Sequence, residues 1–202
     1  MFYDPRTQPH GLAHNPFNAL IAPRPIGWIS TLSVDGTANL APYSYFNAVS
    51  SAPPFVMFSS AGRKDTQTNI EATGEFVVNM AVADLKDALN LSSAAVAPDV
   101  DEFDLAGLAK AACRNVAVPR VAATPVALEC VLSQIVQLTA RDGTRARSDV
   151  IFGEVVGIHI SDEVIVDGLV DITRTRPLSR LGYLDYAITD EVFAMPRPGS
   201  GT

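Results

Sequence analysis

Small polar side chains crowd one stretch of the sequence, with Ser30, Thr31, Asn39, Ser44, Asn47, Ser50, Ser51, Ser59, Ser60, Lys64, Thr66 and Asn69 all lying in it. Taken singly, each is a hydroxyl, amide or amine that can bond nearby backbone at a strand end or helix cap. Taken together they match the demands of a flavin. Its pyrimidine edge needs donors and acceptors, its dimethylbenzene edge an apolar wall, and its phosphate several donors beside positive charge. Trp28, Tyr43, Tyr45 and Phe46 can supply walls. Lys64 and Thr66 begin a predicted helix, where free N–H groups and the macrodipole favour an anion. Asp65 opposes that reading unless it turns away as a cap, with Arg63 and Lys64 offsetting its charge.

Other chemistries lack their marks. No GxGxxG follows a strand, no GxxxxGK[ST] occurs, and Gly199-Ser200-Gly201 is not placed as a nucleophile elbow. His10 and His14 have i, i+4 spacing, but Pro9 and Gly11 disfavour a helix and no third ligand is evident, so no metal site is expected. His159 alternates with Ile158 and Ile160, which point to the opposite face; it reads first as a hydrogen-bonded strand histidine and second as a flavin or nicotinamide contact. Arg141, Arg145 and Arg147 sit at a predicted hairpin tip, where solvated charge is the ordinary reading and a grip on a cofactor phosphate the alternative. A net charge of −7 and a pI near 4.8 oppose nucleic-acid binding, which depends on Lys and Arg neutralising phosphates. Cys113 and Cys130 lack CxxC spacing and read as reduced, largely buried residues.

The elements that must position these groups are mostly strands. The spacing predicts strands over 26–33 and 38–45 joined through Asp35-Gly36, a third over 55–60 after Pro53-Pro54, and a helix over 64–73 ended by Gly74. A strand over 75–80, a helix over 84–93 and an irregular acidic segment over 98–104 follow. A long half-buried strand over 127–139 turns at 141–147 and returns over 150–160, with a short strand over 164–166. Such close connections favour an antiparallel barrel, mostly β with a few helices. At 202 residues, 48% hydrophobic and 18% charged, the chain suits one buried core, so 1–202 is read as one domain. Its ordered core is expected over about 10–190, with a disordered tail over 195–202. No apolar run is long enough to cross a bilayer, and residues 1–11 do not read as a secretory signal, so a cytoplasmic location is expected.

Several motifs occur in order: PRPIGWIST (23–31), Asp35-Gly36, NLAPYSYFN (39–47), Pro53-Pro54, Lys64-Asp65-Thr66 with Asn69, and EFVVN (75–79). DEF (101–103) with AGL (106–108), LEC (128–130), GEVVGIH (153–159) and PLSRLG (177–182) continue the series. Together, over roughly residues 15–186, the chain resembles the flavin reductase-like family of FMN-binding split barrels, in its flavoredoxin branch.

The resemblance implies an antiparallel split β-barrel, a homodimer, and FMN at the subunit boundary. Carried onto this chain, Trp28, Ile29, Ser30 and Thr31 would line the isoalloxazine. Ala41, Tyr43, Ser44, Tyr45, Phe46 and Asn47 would give ribityl and phosphate contacts, and Lys64, Thr66 and Asn69 would complete the anion site. The family often has a second glycine after the one matching Gly182, where this chain has Tyr183, expected either to cover part of the flavin face or to stack on nicotinamide. The implied activity is an NAD(P)H:flavin oxidoreductase using NADH or NADPH, with hydride passing from nicotinamide C4 to flavin N5. Positioning and backbone donors suffice for that transfer, so no catalytic side chain is assigned. Two alternatives stand beside it: an FMN-holding electron carrier reduced by a protein partner, and a flavin-binding barrel without turnover. A monooxygenase or another electron acceptor would use the electrons.

Overall fold

In the computed structural model, which describes residues 1–199, a short helix α1 (Phe17–Leu20) and strand β1 (Arg24–Pro25) lead into β2 (Gly27–Leu32) and β3 (Ala38–Tyr43). Gly36 turns the chain between these strands at φ +88°, a left-handed conformation open to glycine at little cost. Next come β4 (Phe46–Ser51), β5 (Pro54–Ala61), α2 (Asp65–Thr73), β6 (Glu75–Met80), α3 (Lys86–Leu91) and α4 (Glu102–Leu105). Beyond the short β7 (Lys110–Ala111) and β8 (Arg120–Val121), β9 (Val126–Thr139) and β10 (Arg145–Ile160) form the long hairpin. The chain continues through β11 (Ile165–Val166), β12 (Leu169–Val170), α5 (Ile172–Thr175), β13 (Leu178–Arg180) and β14 (Tyr186–Ile188).

Seven strands make one antiparallel sheet in the order β3-β2-β6-β9-β10-β5-β4. Its two edges, β3 and β4, are consecutive in the chain and separated only by Ser44 and Tyr45. The sheet must therefore curl back on itself. The edges meet without a ladder between them: β3 approaches β5, and the Ser59 N–H donates to the Tyr45 carbonyl at 2.9 Å. This is the split of a split barrel. Ile29, Phe58, Ile70, Phe76, Cys130 and Ile151 fill one buried cluster, and Trp28, Leu40, Phe103 and Leu178 belong to another. At Gly153 the backbone passes so close to Phe76 that an added Cβ would lie 2.3 Å from its ring.

The predicted strands and the hairpin over 127–160 appear near their expected bounds, and α2 ends at Gly74 (φ +75°), whose N–H donates to the Ile70 carbonyl at 2.8 Å. Three local expectations change. Residues 46–51 form the edge strand β4 because a ladder to β5 holds a segment too polar to announce itself. The acidic segment over 98–104 includes the start of α4, capped by the Asp101 side chain accepting from the Phe103 N–H. The helix expected over 84–93 is a 3₁₀ turn (Ala83–Leu85) followed by α3. No described helix is long and apolar enough to cross a membrane. Part of the tail predicted over 195–202, residues 200–202, lies outside the described residues.

Candidate functional site

The polar cluster assembles, but much of it bonds to itself. Thr66, on α2, donates through Oγ1 to Asn39 Oδ1 at 2.8 Å, and Asn69 Nδ2 donates to Thr31 Oγ1 at 3.1 Å. Asn39 Nδ2 donates to buried Glu102 (2.9 Å), whose second oxygen accepts from the Leu40 N–H (3.0 Å). Burial raises the Glu102 pKa, and these donors only partly oppose it. The network ties α2 and α4 to β2 and β3, across 27 to 63 residues of sequence.

Trp28, Ile29, Ser30 and Thr31, expected to line a ring, have interior side chains. Trp28 donates through Nε1 to Ser92 Oγ (2.9 Å), Ser30 donates to the Pro119 carbonyl (2.7 Å), and Ile29 packs in the barrel core. The side chains on this part of β2 are taken up by packing and hydrogen bonds on both faces of the sheet. Phe46 is half-buried against the core, and Asn47 is exposed on β4 with its Oδ1 accepting from the Ala48 N–H. Tyr45 donates through its hydroxyl to Asn18 Oδ1 at 2.5 Å.

Beside this network lies a cavity of about 400 Å³ bounded by Asn39, Ala41, Pro42 and Tyr43 of β3, by residues 63–66 at the start of α2, and by the loop 92–96. The helix entry is bare: Lys64 occupies the N-cap without a side-chain cap bond, so the cap expected there is absent. Asp65 borders the cavity instead of turning away as a cap. Tyr43 is buried, and its hydroxyl has no hydrogen-bond partner. Burial raises its pKa; the Thr66 and Ser60 hydroxyls lie near enough to oppose this in part but make no hydrogen bond of acceptable geometry to it, so the phenol keeps its proton as a donor. Arg63 at the rim is paired with Glu71. Ser44 lies in an adjoining concavity, while Asn69 borders neither space. Sequence reading missed loop 92–96 and Glu102; both come to β3 from a distance, and only the Asp-Glu-Phe run gave a local mark.

A larger opening of about 720 Å³ lies beside the start of β9 and the end of β10. There Glu129, within the strand expected to be half-buried, is itself fully buried. Its oxygens accept from the Arg114 N–H (2.8 Å) and Asn115 N–H (2.6 Å), and one lies 2.5 Å from His159 Nε2. His159 is thus a hydrogen-bonded strand histidine. Cys113 lies close enough to both for a shared metal, and its thiol is pushed up to about 11 by burial and by Glu129. Glu129 already has three partners: the Arg114 and Asn115 N–H groups fasten loop 113–115 to β9, and His159 joins it from β10. Cys130 is buried, and its thiol pKa is raised by that burial. His10 accepts from the Leu12 N–H and His14 packs against Tyr183, so the two histidines make separate contacts. Arg141, Arg145 and Arg147 are all exposed at the β9–β10 turn.

The barrel and its cavity define a recognisable class. Residues 20–177 match the flavin reductase like domain, and the chain belongs to that family. It is 38% identical over 169 residues to an uncharacterized protein of Aquifex aeolicus, covering 81% of this chain and 83% of that one. Among solved structures it is similar to nitrilotriacetate monooxygenase component B from Bacillus cereus, with a TM-score of 0.87, 31% identity, and coverage of 96% and 98% of the two chains. It also shares its fold with a split-barrel domain from Shewanella frigidimarina, with a TM-score of 0.80, 22% identity, and coverage of 90% and 89%.

Proposed function

We propose that this chain binds FMN in the cavity between β3 and α2 and serves as an NAD(P)H:flavin oxidoreductase, accepting hydride from NADH or NADPH. The observation that carries the reading is the bare N-terminus of α2 opening beside Lys64 into a cavity whose wall holds an unpartnered tyrosine hydroxyl. The cavity volume falls within the ~300–1,000 Å³ usual for small-molecule sites. Lys64 and the first free N–H groups of α2 would hold the phosphate, since both present positive charge to it. Tyr43 would donate its orphaned hydrogen bond to a ligand acceptor, while Ala41 and Pro42 supply an apolar wall. Asp65 weakens phosphate binding unless Lys64 outweighs it.

FMN supplies the two-electron acceptor when bound. The protein residues have only to orient the partners and exclude water, so no acid or base is assigned. Assembly as a homodimer and delivery of electrons to a separate monooxygenase or other acceptor complete the proposal.

Two measurements test it. Flavin content after gel filtration of protein mixed with FMN reads cofactor retention. Anaerobic stopped-flow mixing with NADH and, separately, NADPH reads transfer, and rapid bleaching of the flavin with either is the expected result. Retained FMN with absent bleaching moves the assignment to an electron carrier reduced by a protein partner. Protein that neither retains nor reduces FMN ends the proposal.

A further inference from the structure

A second concavity, of about 350 Å³, adjoins the first; Pro42 and Ser93 line both. Among the described residues no Asp or Glu lines it, although the chain as a whole carries a net charge of −7. It does hold two arginines. Arg24 is only 6% exposed, its guanidinium donating to the carbonyls of Asn18, Ile21 and Leu181 while its Nε is buried without a partner. Half-buried Arg180 donates to the Tyr183 carbonyl and lies 4.5 Å from the centre of the Tyr186 ring. Among the described residues neither guanidinium has a carboxylate within 4.0 Å. Carbonyl dipoles satisfy N–H groups but cannot cancel a net charge, and a desolvated cation without a counter-ion favours an anion beside it.

The rest of the wall is aromatic. Tyr183 and Tyr186 flank the arginines, and each is about half exposed. A tight turn presents them: the Leu181 N–H donates to the Asp185 carbonyl (3.0 Å) and the Asp185 N–H to the Gly182 carbonyl (2.9 Å). Gly182 passes so close to Ala19 that a Cβ would lie 2.5 Å from the alanine methyl, which anchors the turn against α1. Tyr183 itself takes φ +56°, a region that residues with a side chain seldom occupy.

We propose that this concavity binds a planar aromatic monoanion, such as an aromatic carboxylate. Its charge faces Arg24 and Arg180, and its ring lies against Tyr183 and Tyr186. Charge-assisted bonds and ring contacts then select jointly, so neither a neutral aromatic nor a small aliphatic anion suffices. That the ligand lies next to bound flavin rests on the function proposed above; the anion site itself does not.

Calorimetric titration of benzoate, benzamide and acetate into FMN-free and FMN-saturated protein tests this. Benzoate is expected to bind about tenfold more tightly than benzamide, which lacks the charge, and than acetate, which lacks the ring, in both forms. Arg180→Gln should weaken benzoate about tenfold and leave benzamide unchanged, whereas Tyr183→Ala should weaken both, with circular dichroism and melting temperature confirming that each variant is folded. Undetectable benzoate binding, equal affinity for benzoate and benzamide, or an Arg180→Gln variant with unchanged benzoate affinity overturns the site. Mutual exclusion of benzoate and FMN overturns its independence from the flavin cavity. Failure to retain FMN defeats the function proposed above, while the comparison on FMN-free protein still decides this one.

Discussion

Tyr43 and Glu129 show opposite fates of a buried polar group. The Tyr43 hydroxyl has no partner, and a buried orphan of this kind costs about 1–3 kcal/mol. Tyr43→Phe should therefore raise the stability of the FMN-free protein by about 0.5–1 kcal/mol while weakening FMN severalfold. Urea unfolding and a fluorescence titration check the two halves, and a stability loss above about 1 kcal/mol would count against the orphan hydroxyl. Glu129 is buried yet fully partnered. Burial alone would raise its pKa, but the Arg114 and Asn115 N–H groups and His159 outweigh that and hold it below the ordinary 4.5. The stability from this lowered pKa is complete above 4.5 and disappears as pH falls through the folded-state value. Glu129→Gln should cost about 2–4 kcal/mol at neutral pH, and the gap to wild type should shrink in acid; paired urea midpoints at pH 7 and pH 4 test both statements.

At the scale of elements, what cannot be read locally is where one strand meets another. The bends at Gly36 and Gly74 were legible because a glycine beside patterned residues marks its own turn. β4 was not, since Asn47, Ser50 and Ser51 carry no apolar alternation and the strand exists through its ladder to β5. Gly153 likewise reads as an ordinary interruption within β10. In the fold it leaves the space that the Phe76 ring fills from β6. Gly153→Ala should lower stability by about 1–3 kcal/mol through overpacking, read as a fall in the urea midpoint with an unchanged slope; a midpoint within error of wild type would show that Phe76 can step aside.

For the whole molecule, the long hairpin leaves Leu138, Ile158 and Ile160 exposed while His159 between the isoleucines turns inward to Glu129. Apolar side chains left exposed along this hairpin suit a second copy better than water. Light scattering after gel filtration should give twice the 21.5 kDa chain mass, and the melting temperature should rise with protein concentration. A concentration-independent monomer would remove the dimer from the proposal.

Local order was enough for the sequence to determine the class of fold: alternating β-branched residues, Asp35-Gly36 and Gly74 specify strands and turns within a few residues, and ordered motifs specify the family. The cluster around Thr31, Asn39, Thr66 and Asn69 was likewise legible as a gathering of polar groups. Only the tertiary structure decided how those groups are used. Thr31, Asn39, Thr66 and Asn69 bond one another and Glu102, whereas Tyr43 and Lys64 line the cavity, and Arg24 is buried with no carboxylate within 4.0 Å among the described residues. The reason is physical: side-chain type states what a group can bond, but whether that capacity is already satisfied depends on partners brought from distant parts of the chain.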